Sequence, residues 1–138
     1  MERSLVLIKP DAMQNGLGGT IISRLEREGL KTVALKMLHM DSNLAGRHYA
    51  IHRDKPFFND LVDYITSTPI IALVLEGEKA VERIRKVMGA TDPARAEPGT
   101  IRADFGIDIQ RNAVHGSDSV ENADKEIGLF FSENEIYG

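Results

Sequence analysis

Apolar positions recur along the chain at two spacings. Ser4–Lys9 (SLVLIK) is a short apolar run closed by Pro10-Asp11, which predicts a buried strand stopping at proline. Gly16-Leu-Gly-Gly19 opens a helix with Ile21, Ile22 and Leu25 inward and Arg24, Glu26, Arg27 and Glu28 outward, stopped by Gly29. Leu30–Met40 (LKTVALKMLHM) alternates, with Thr32, Ala34, Lys36, Leu38 and Met40 on one face of a half-buried strand. Asp41-Ser42-Asn43 caps a short helix reaching about Ile51. Pro56-Phe57-Phe58 starts the next, with Phe58, Leu61, Val62 and Ile65 at helical spacing, and Thr68-Pro69 ends it.

Ile70–Glu76 (IIALVLE) is apolar almost throughout, the pattern of a strand covered on both faces. A turn at Gly77-Glu78 leads into a helix over Lys79–Met88, with Val81, Ile84, Val87 and Met88 inward and Gly89 as its stop. Ala90–Thr100 is rich in turn residues, Ile101–Ala103 fits one helical turn, and Asn112–His115 fits a last short strand. Ser117-Asp118-Ser119 caps a final helix over Val120–Phe130, with Asp118 and Glu121 spaced as a capping box. The order β-α-β-α-α-β-α-loop-β-α, without the short extra helices, is the split βαβ pattern of a ferredoxin-like α+β fold. It predicts one domain over residues 1–138, with a four-stranded antiparallel sheet, helices on one face and an open face opposite.

Composition narrows the function. There is no cysteine, which excludes disulfides, zinc-thiolate and iron–sulfur sites, and a cysteine nucleophile. The longest apolar run, Ile70–Leu75, is far short of the roughly 18 residues of a membrane span. The few apolar residues before Lys9-Pro10 are too short for a signal peptide, so the expectation is a cytoplasmic protein without a membrane role. A net charge of −4 argues against nucleic acid as the main ligand, and any anion site must be a local cluster.

There is no P-loop, no dinucleotide fingerprint and no Gly-x-Ser-x-Gly nucleophile motif. His48 and His52 have an i, i+4 metal-ligand spacing, but with no third ligand nearby they read as structural or surface histidines. His115 leaves a short strand before Gly116, which permits close backbone approach. Ser117, Asp118 and Glu126 are within reach of holding its ring. Two readings stay open: a histidine satisfied by the helix cap, or one whose ring is fixed by a carboxylate so that the other nitrogen is a nucleophile or base. Lys9, Arg85, Thr91, Arg102 and Asn112 similarly fit either scattered surface groups or an anion clamp. In the clamp reading, losing Arg85 or Arg102 costs phosphate affinity rather than folding. An exposed ring of the Phe57-Phe58 pair would suit base stacking.

Six blocks carry a resemblance to the nucleoside diphosphate kinase family: Ile8-Lys-Pro-Asp11, His48-Tyr49, Lys55-Pro-Phe-Phe58, Gly89-Ala-Thr-Asp-Pro93, Pro98-Gly-Thr-Ile-Arg102 and Asn112-Ala-Val-His-Gly-Ser-Asp-Ser119. The resemblance implies ping-pong transfer of the γ-phosphate from ATP or another nucleoside triphosphate to a nucleoside diphosphate, with broad base specificity. His115 would accept the phosphate, normally on Nδ1, oriented by Glu126 and Ser117. Lys9 and Asn112 match the residues at the ribose 3′-hydroxyl; His48, Arg85, Thr91 and Arg102 match phosphate contacts; and Tyr49 lines the site. Phe57 matches the stacking ring, flanked by Leu61 and Ile109, and Asp118 the acidic residue near the Mg²⁺–phosphate group. Gln110 stands where some members of the family carry glycine. A homo-oligomer, tetramer or hexamer, is also implied. The rival readings are a catalytically silent ferredoxin-like interaction domain and a nucleic-acid-binding protein.

Overall fold

The computed structural model describes residues 1–138. Its elements, in order, are β1 (Glu2–Ile8), α1 (Pro10–Gln14), α2 (Gly18–Glu26), β2 (Lys31–Leu38), α3 (Ser42–His48), α4 (Phe58–Ile65), β3 (Ile70–Gly77), α5 (Ala80–Met88), α6 (Ile101–Phe105), β4 (Val114–Gly116) and α7 (Val120–Phe130). The strands form one antiparallel sheet in the order β2-β3-β1-β4, the expected split βαβ arrangement.

The apolar runs of β1 and β3 are continuous because both faces of the sheet are covered. Val6, Ile8, Leu73 and Leu75 pack on one side with Ile21 and Leu25 of α2, Ile84 of α5 and Ile101 of α6. Leu5, Leu7, Ala72 and Val74 pack on the other with Ala45 of α3, Ile65 of α4, and Ile127 and Phe130 of α7. The crossover helices α2 and α5 share one face as expected. The expectation of helices on that face alone, with an open face opposite, is corrected: α3, α4 and α7 close the second face. The site therefore cannot be a bare sheet surface.

Local departures have local causes. Pro10 ends β1 but also occupies the first turn of α1, where its missing N–H costs nothing. A bulge between Thr32 and Ala34 buries Val33 and Ala34 together and leaves Leu35 and Met37 outward on the edge strand. β4 begins at Val114 rather than Asn112, because Ala113 has φ of 75° and cannot continue a strand. The α7 cap is Ser119, whose side chain accepts from the Asn122 N–H; Asp118 instead accepts from the Asn122 side chain at 2.6 Å. This replaces the expected Asp118/Glu121 capping box. No helix is long and apolar enough to cross a membrane.

Candidate active site

β1 and β4 place the two ends of the site side by side. Leu7 pairs with His115 across the sheet, and Lys9 follows β1 directly. The turn before β4 is fastened to α1: Asp11 Oδ2 accepts the Ala113 N–H at 2.9 Å, while Oδ1 accepts the Tyr64 hydroxyl at 2.6 Å. Burial and those bonds to Asp11 push the Tyr64 hydroxyl pKa up. The unusual backbone at Ala113 is thus held by a buried carboxylate. Gly116 sits close under α5: a Cβ there would lie 2.8 Å from the end of the Met88 side chain, which would have to shift.

The His115 ring is fixed by Glu126, one turn short of the end of α7. Glu126 Oε1 receives the Ser117 hydroxyl at 2.5 Å and lies 3.2 Å from His115 Nε2. An ionised carboxylate only accepts, so the proton belongs on Nε2. His115 Nδ1 has no hydrogen-bond partner in the chain. Burial works to raise the Glu126 carboxyl, but the hydrogen bond and charge of His115 and the Ser117 bond outweigh it and hold its pKa below the ordinary value.

His48, at the end of α3, packs against the same pair. Its side chain is 1% exposed, Nδ1 is 3.8 Å from Glu126 Oε2, and neither ring nitrogen has a hydrogen bond. Burial, reinforced by His115, pushes its pKa down to about 3, so the ring is neutral. Tyr49 beside it is pushed up to about 12 by burial and by the Glu126 charge.

The cation end is built differently. Lys9 Nζ donates to Asn112 Oδ1 at 2.9 Å and to the Gln110 carbonyl at 2.6 Å. Burial lowers its pKa to about 8. Asn112 in turn donates to the Thr91 carbonyl at 3.0 Å. Arg102 is buried and donates to the Gly89 and Val114 carbonyls, so it straps α5 to β4 as well as presenting charge. Burial and the neighbouring Arg85 lower its pKa to about 10. Arg102 thus has structural contacts beside its charge, whereas the side-chain hydrogen bond of Arg85 is a 3.5 Å approach to the Asp118 carbonyl.

One cavity of about 480 Å³ collects these groups. Lys9, His48, Tyr49, Phe57, Leu61, Arg85, Thr91, Arg102, Ile109, Asn112, His115, Asp118 and Glu126 all line it, and Ser117 stands behind as the Glu126 partner. Phe57 is 45% exposed, beside His52 at the cavity's apolar end. The lining also includes Asn122, which spacing did not single out, Met88, which it placed inward on a helix, and His52, which it read as a structural or surface histidine. Asp11 and Tyr64, which hold the Ala113 turn from outside the cavity, were likewise missed; Asp11 was visible only as the neighbour of Lys9-Pro10.

Asp118 is the carboxylate at the mouth suited to Mg²⁺, a hard cation that takes one or two carboxylates together with phosphate oxygens. A second cluster, His48, His115 and Glu126, brings one ligand atom from each residue within 4.8 Å of the others, but two imidazoles and one carboxylate do not suit Mg²⁺. His52, four residues from His48, is not part of it.

A cavity that joins a flat aromatic, a cluster of cations and a carboxylate-fixed histidine is a nucleotide-handling site. The comparisons with known proteins agree. The family model described as nucleoside diphosphate kinase matches residues 2–136. The nucleoside diphosphate kinase of Dehalococcoides mccartyi is 62% identical over 136 residues, covering 99% of this chain and 96% of its own. That of Archaeoglobus fulgidus is 58% identical, with 99% and 90% covered. Among solved structures, the Halobacterium salinarum enzyme in complex with CDP superposes with a TM-score of 0.96 at 49% identity, covering 99% of this chain and 91% of that one. The Aquifex aeolicus enzyme superposes with a TM-score of 0.95 at 46% identity, with 98% of each chain covered. Fold and likeness together define a phosphotransferase acting between nucleotides. The chain belongs to the nucleoside diphosphate kinase family.

Proposed function

We propose that transfer is ping-pong through His115, with broad base specificity. The observation that carries this reading is the Glu126 contact at Nε2, which leaves Nδ1 as the ring nitrogen with a free lone pair. In the forward half-reaction that lone pair attacks the γ-phosphorus and the bond to the β,γ-bridging oxygen breaks. The diphosphate departs with the electron pair. Nε2 keeps its proton against Glu126, whose charge offsets the positive charge gained by the ring. A second nucleoside diphosphate then reverses these steps on the same site.

Phosphoryl transfer is catalysed chiefly by positioning and charge neutralisation. Arg85, Arg102 and Lys9 supply fixed positive charge around the cavity, and Thr91 continues the same wall. Mg²⁺ across the nucleotide phosphates would neutralise the remaining charge, with Asp118 as its protein contact. Lys9 and Asn112, joined at 2.9 Å, are the groups for the ribose 3′-hydroxyl. Phe57, with Leu61 and Ile109, offers a stacking face that reads no particular base.

The reading extends to one catalytic domain over the whole chain and a cytoplasmic, homo-oligomeric protein, tetramer or hexamer. Support for assembly comes from edge strand β2, where Leu35 and Met37 are 50% and 63% exposed. Incubation with γ-labelled ATP and Mg²⁺, followed by mapping of the label, tests the mechanism. The expected product is an acid-labile phosphate on His115, absent from His115→Ala. Turnover persisting in that variant would overturn the covalent route.

A further inference from the structure

We propose that His48, His115 and Glu126 form a Zn²⁺ site that competes with the phosphate-accepting state of His115. Binding at the site stands on geometry alone; its effect on transfer rests on the function proposed above.

Three observations support it. His48 is an imidazole with both nitrogens buried and neither hydrogen-bonded, a costly arrangement for a polar ring with no function. One ligand atom from each of the three residues lies within 4.8 Å of the others. His115 Nε2 and Glu126 Oε1 are 3.2 Å apart, which with Zn–N and Zn–O bonds of about 2.1 Å gives an angle near 100°, close to tetrahedral. Two histidines and one carboxylate, with a fourth position open to water, is a recurring zinc arrangement. His48 Nδ1 lies 3.8 Å from the other Glu126 oxygen, and ligand atoms up to 4.8 Å apart must draw in by about 1 Å or more to reach the separation of about 3.4 Å between tetrahedral zinc ligands. The Ser117 hydroxyl, 2.5 Å from Oε1, supplies the outer contact that orients a ligating carboxylate.

The chemistry of occupation is balanced. Zn²⁺ takes the Nε2 lone pair of His115, so the Nε2 proton passes through solvent to Nδ1. The ring stays neutral but changes tautomer. Nδ1, now carrying hydrogen, has no lone pair for phosphorus, and Glu126 is spent on the metal. The positive charge of Lys9 and the two arginines opposes a dication here, so the site is expected to be weaker than a structural zinc site.

The test uses the whole protein without nucleotide at neutral pH. Co²⁺ titration should give the intense visible absorption of a four-coordinate ion at one equivalent per chain, bleached by Zn²⁺ and not by excess Mg²⁺. His48→Gln and Glu126→Gln should each weaken it by about tenfold or more. In wild-type protein, imidazole ¹⁵N spectra with Zn²⁺ should show His115 changing from the Nε2–H to the Nδ1–H tautomer and His48 shifting with it, a readout that needs no variant. A weak six-coordinate Co²⁺ spectrum, or Zn²⁺ leaving both ring spectra unchanged, would overturn the site. Failure of ATP with Mg²⁺ to label His115 in zinc-free protein would overturn the transfer mechanism and leave the metal spectra as they are.

Discussion

His48 packs edge-on against His115, with ring centroids 4.7 Å apart and planes at 84°. The buried ring of one histidine thus forms the wall against which the other is held, with Glu126 between their nitrogens on a third edge. A wall of this kind must be uncharged, because a cation there would repel the imidazolium character that His115 gains on phosphorylation.

That neutrality should be visible in stability. Burial holds the folded His48 pKa near 3, against about 6.5 in the unfolded chain. Between those values the unfolded chain binds the proton that the folded chain refuses, so stability falls as pH falls through that window. From this group the protein should lose about 2 kcal/mol between about pH 7.5 and pH 5. Urea unfolding at the two pH values, on wild type and His48→Gln, measures it. The variant should show the shallower dependence, and equal slopes would place the ring in water.

The Ala113 turn offers a second measurement. Asp11 accepts from both Tyr64 and the Ala113 N–H. Asp11→Asn keeps the shape, but its NH₂ cannot accept, so one of the two donors loses its partner. The expected cost is about 1–3 kcal/mol. Tyr64→Phe, which removes only the hydroxyl, should cost less. Both should slow phosphate transfer by loosening the turn that leads into His115. Denaturant midpoints and single-turnover labelling check the two effects separately. Unchanged transfer in Asp11→Asn would show that the turn holds itself.

Much of this architecture was legible in the chain. α7 runs over Val120–Phe130 as the periodicity predicts, because its cap residue and apolar spacing agree. The unbroken apolar runs of β1 and β3 already demanded cover on both faces, and that demand outweighed the open face expected from the bare ferredoxin-like pattern. The strand starts later than the expected Asn112 because the positive φ of Ala113 is held by Asp11, distant in sequence. Lys9, His115 and Arg102 could be named from motifs, but their convergence depends on the β1–β4 register. The burial of His48 had no local signal: an i, i+4 pair with His52 pointed at the wrong partner, and its real neighbours lie on β4 and α7.

Lys9 should couple nucleotide binding to protons. Burial lowers its folded pKa to about 8, so it is partly neutral just above that pH. Phosphate oxygens entering the cavity restore its charge, and binding should then take up a fraction of a proton at about pH 8.5 but almost none at pH 7. Calorimetry of nucleoside diphosphate binding in buffers of different ionisation heat measures the uptake. Lys9→Met should abolish it. The same shift makes folding stability rise from this group between about pH 8 and 10.5, where the unfolded chain holds the extra proton. No uptake at the higher pH would mean that Lys9 is solvated or far from the ligand's charge.

Specificity should reside in the sugar and not in the base. The base end of the cavity offers Phe57, Leu61 and Ile109, and the Gln110 amide nearby already donates to the Asp60 carbonyl at 3.2 Å. Stacking on an aromatic face discriminates poorly among bases. The 3′-hydroxyl, by contrast, would meet Lys9 and Asn112, whose mutual 2.9 Å contact fixes both groups before the nucleotide arrives. Without the hydroxyl, those two buried groups still pay for desolvation and gain no new partner. If the hydroxyl also reaches the departing bridging oxygen, the loss falls on the transition state and appears in kcat as well as KM. Single-turnover phosphorylation of His115 by ATP, dATP, GTP and a 2′,3′-dideoxy triphosphate separates the cases. ATP, dATP and GTP should agree within about a hundredfold, equivalent to about 2.7 kcal/mol, and the dideoxy compound should be far slower. A dideoxy rate equal to that of dATP would remove Lys9 and Asn112 from the sugar. A larger gap between ATP and GTP would mean that a polar group reads the base, with His52 beside Phe57 the first residue to change.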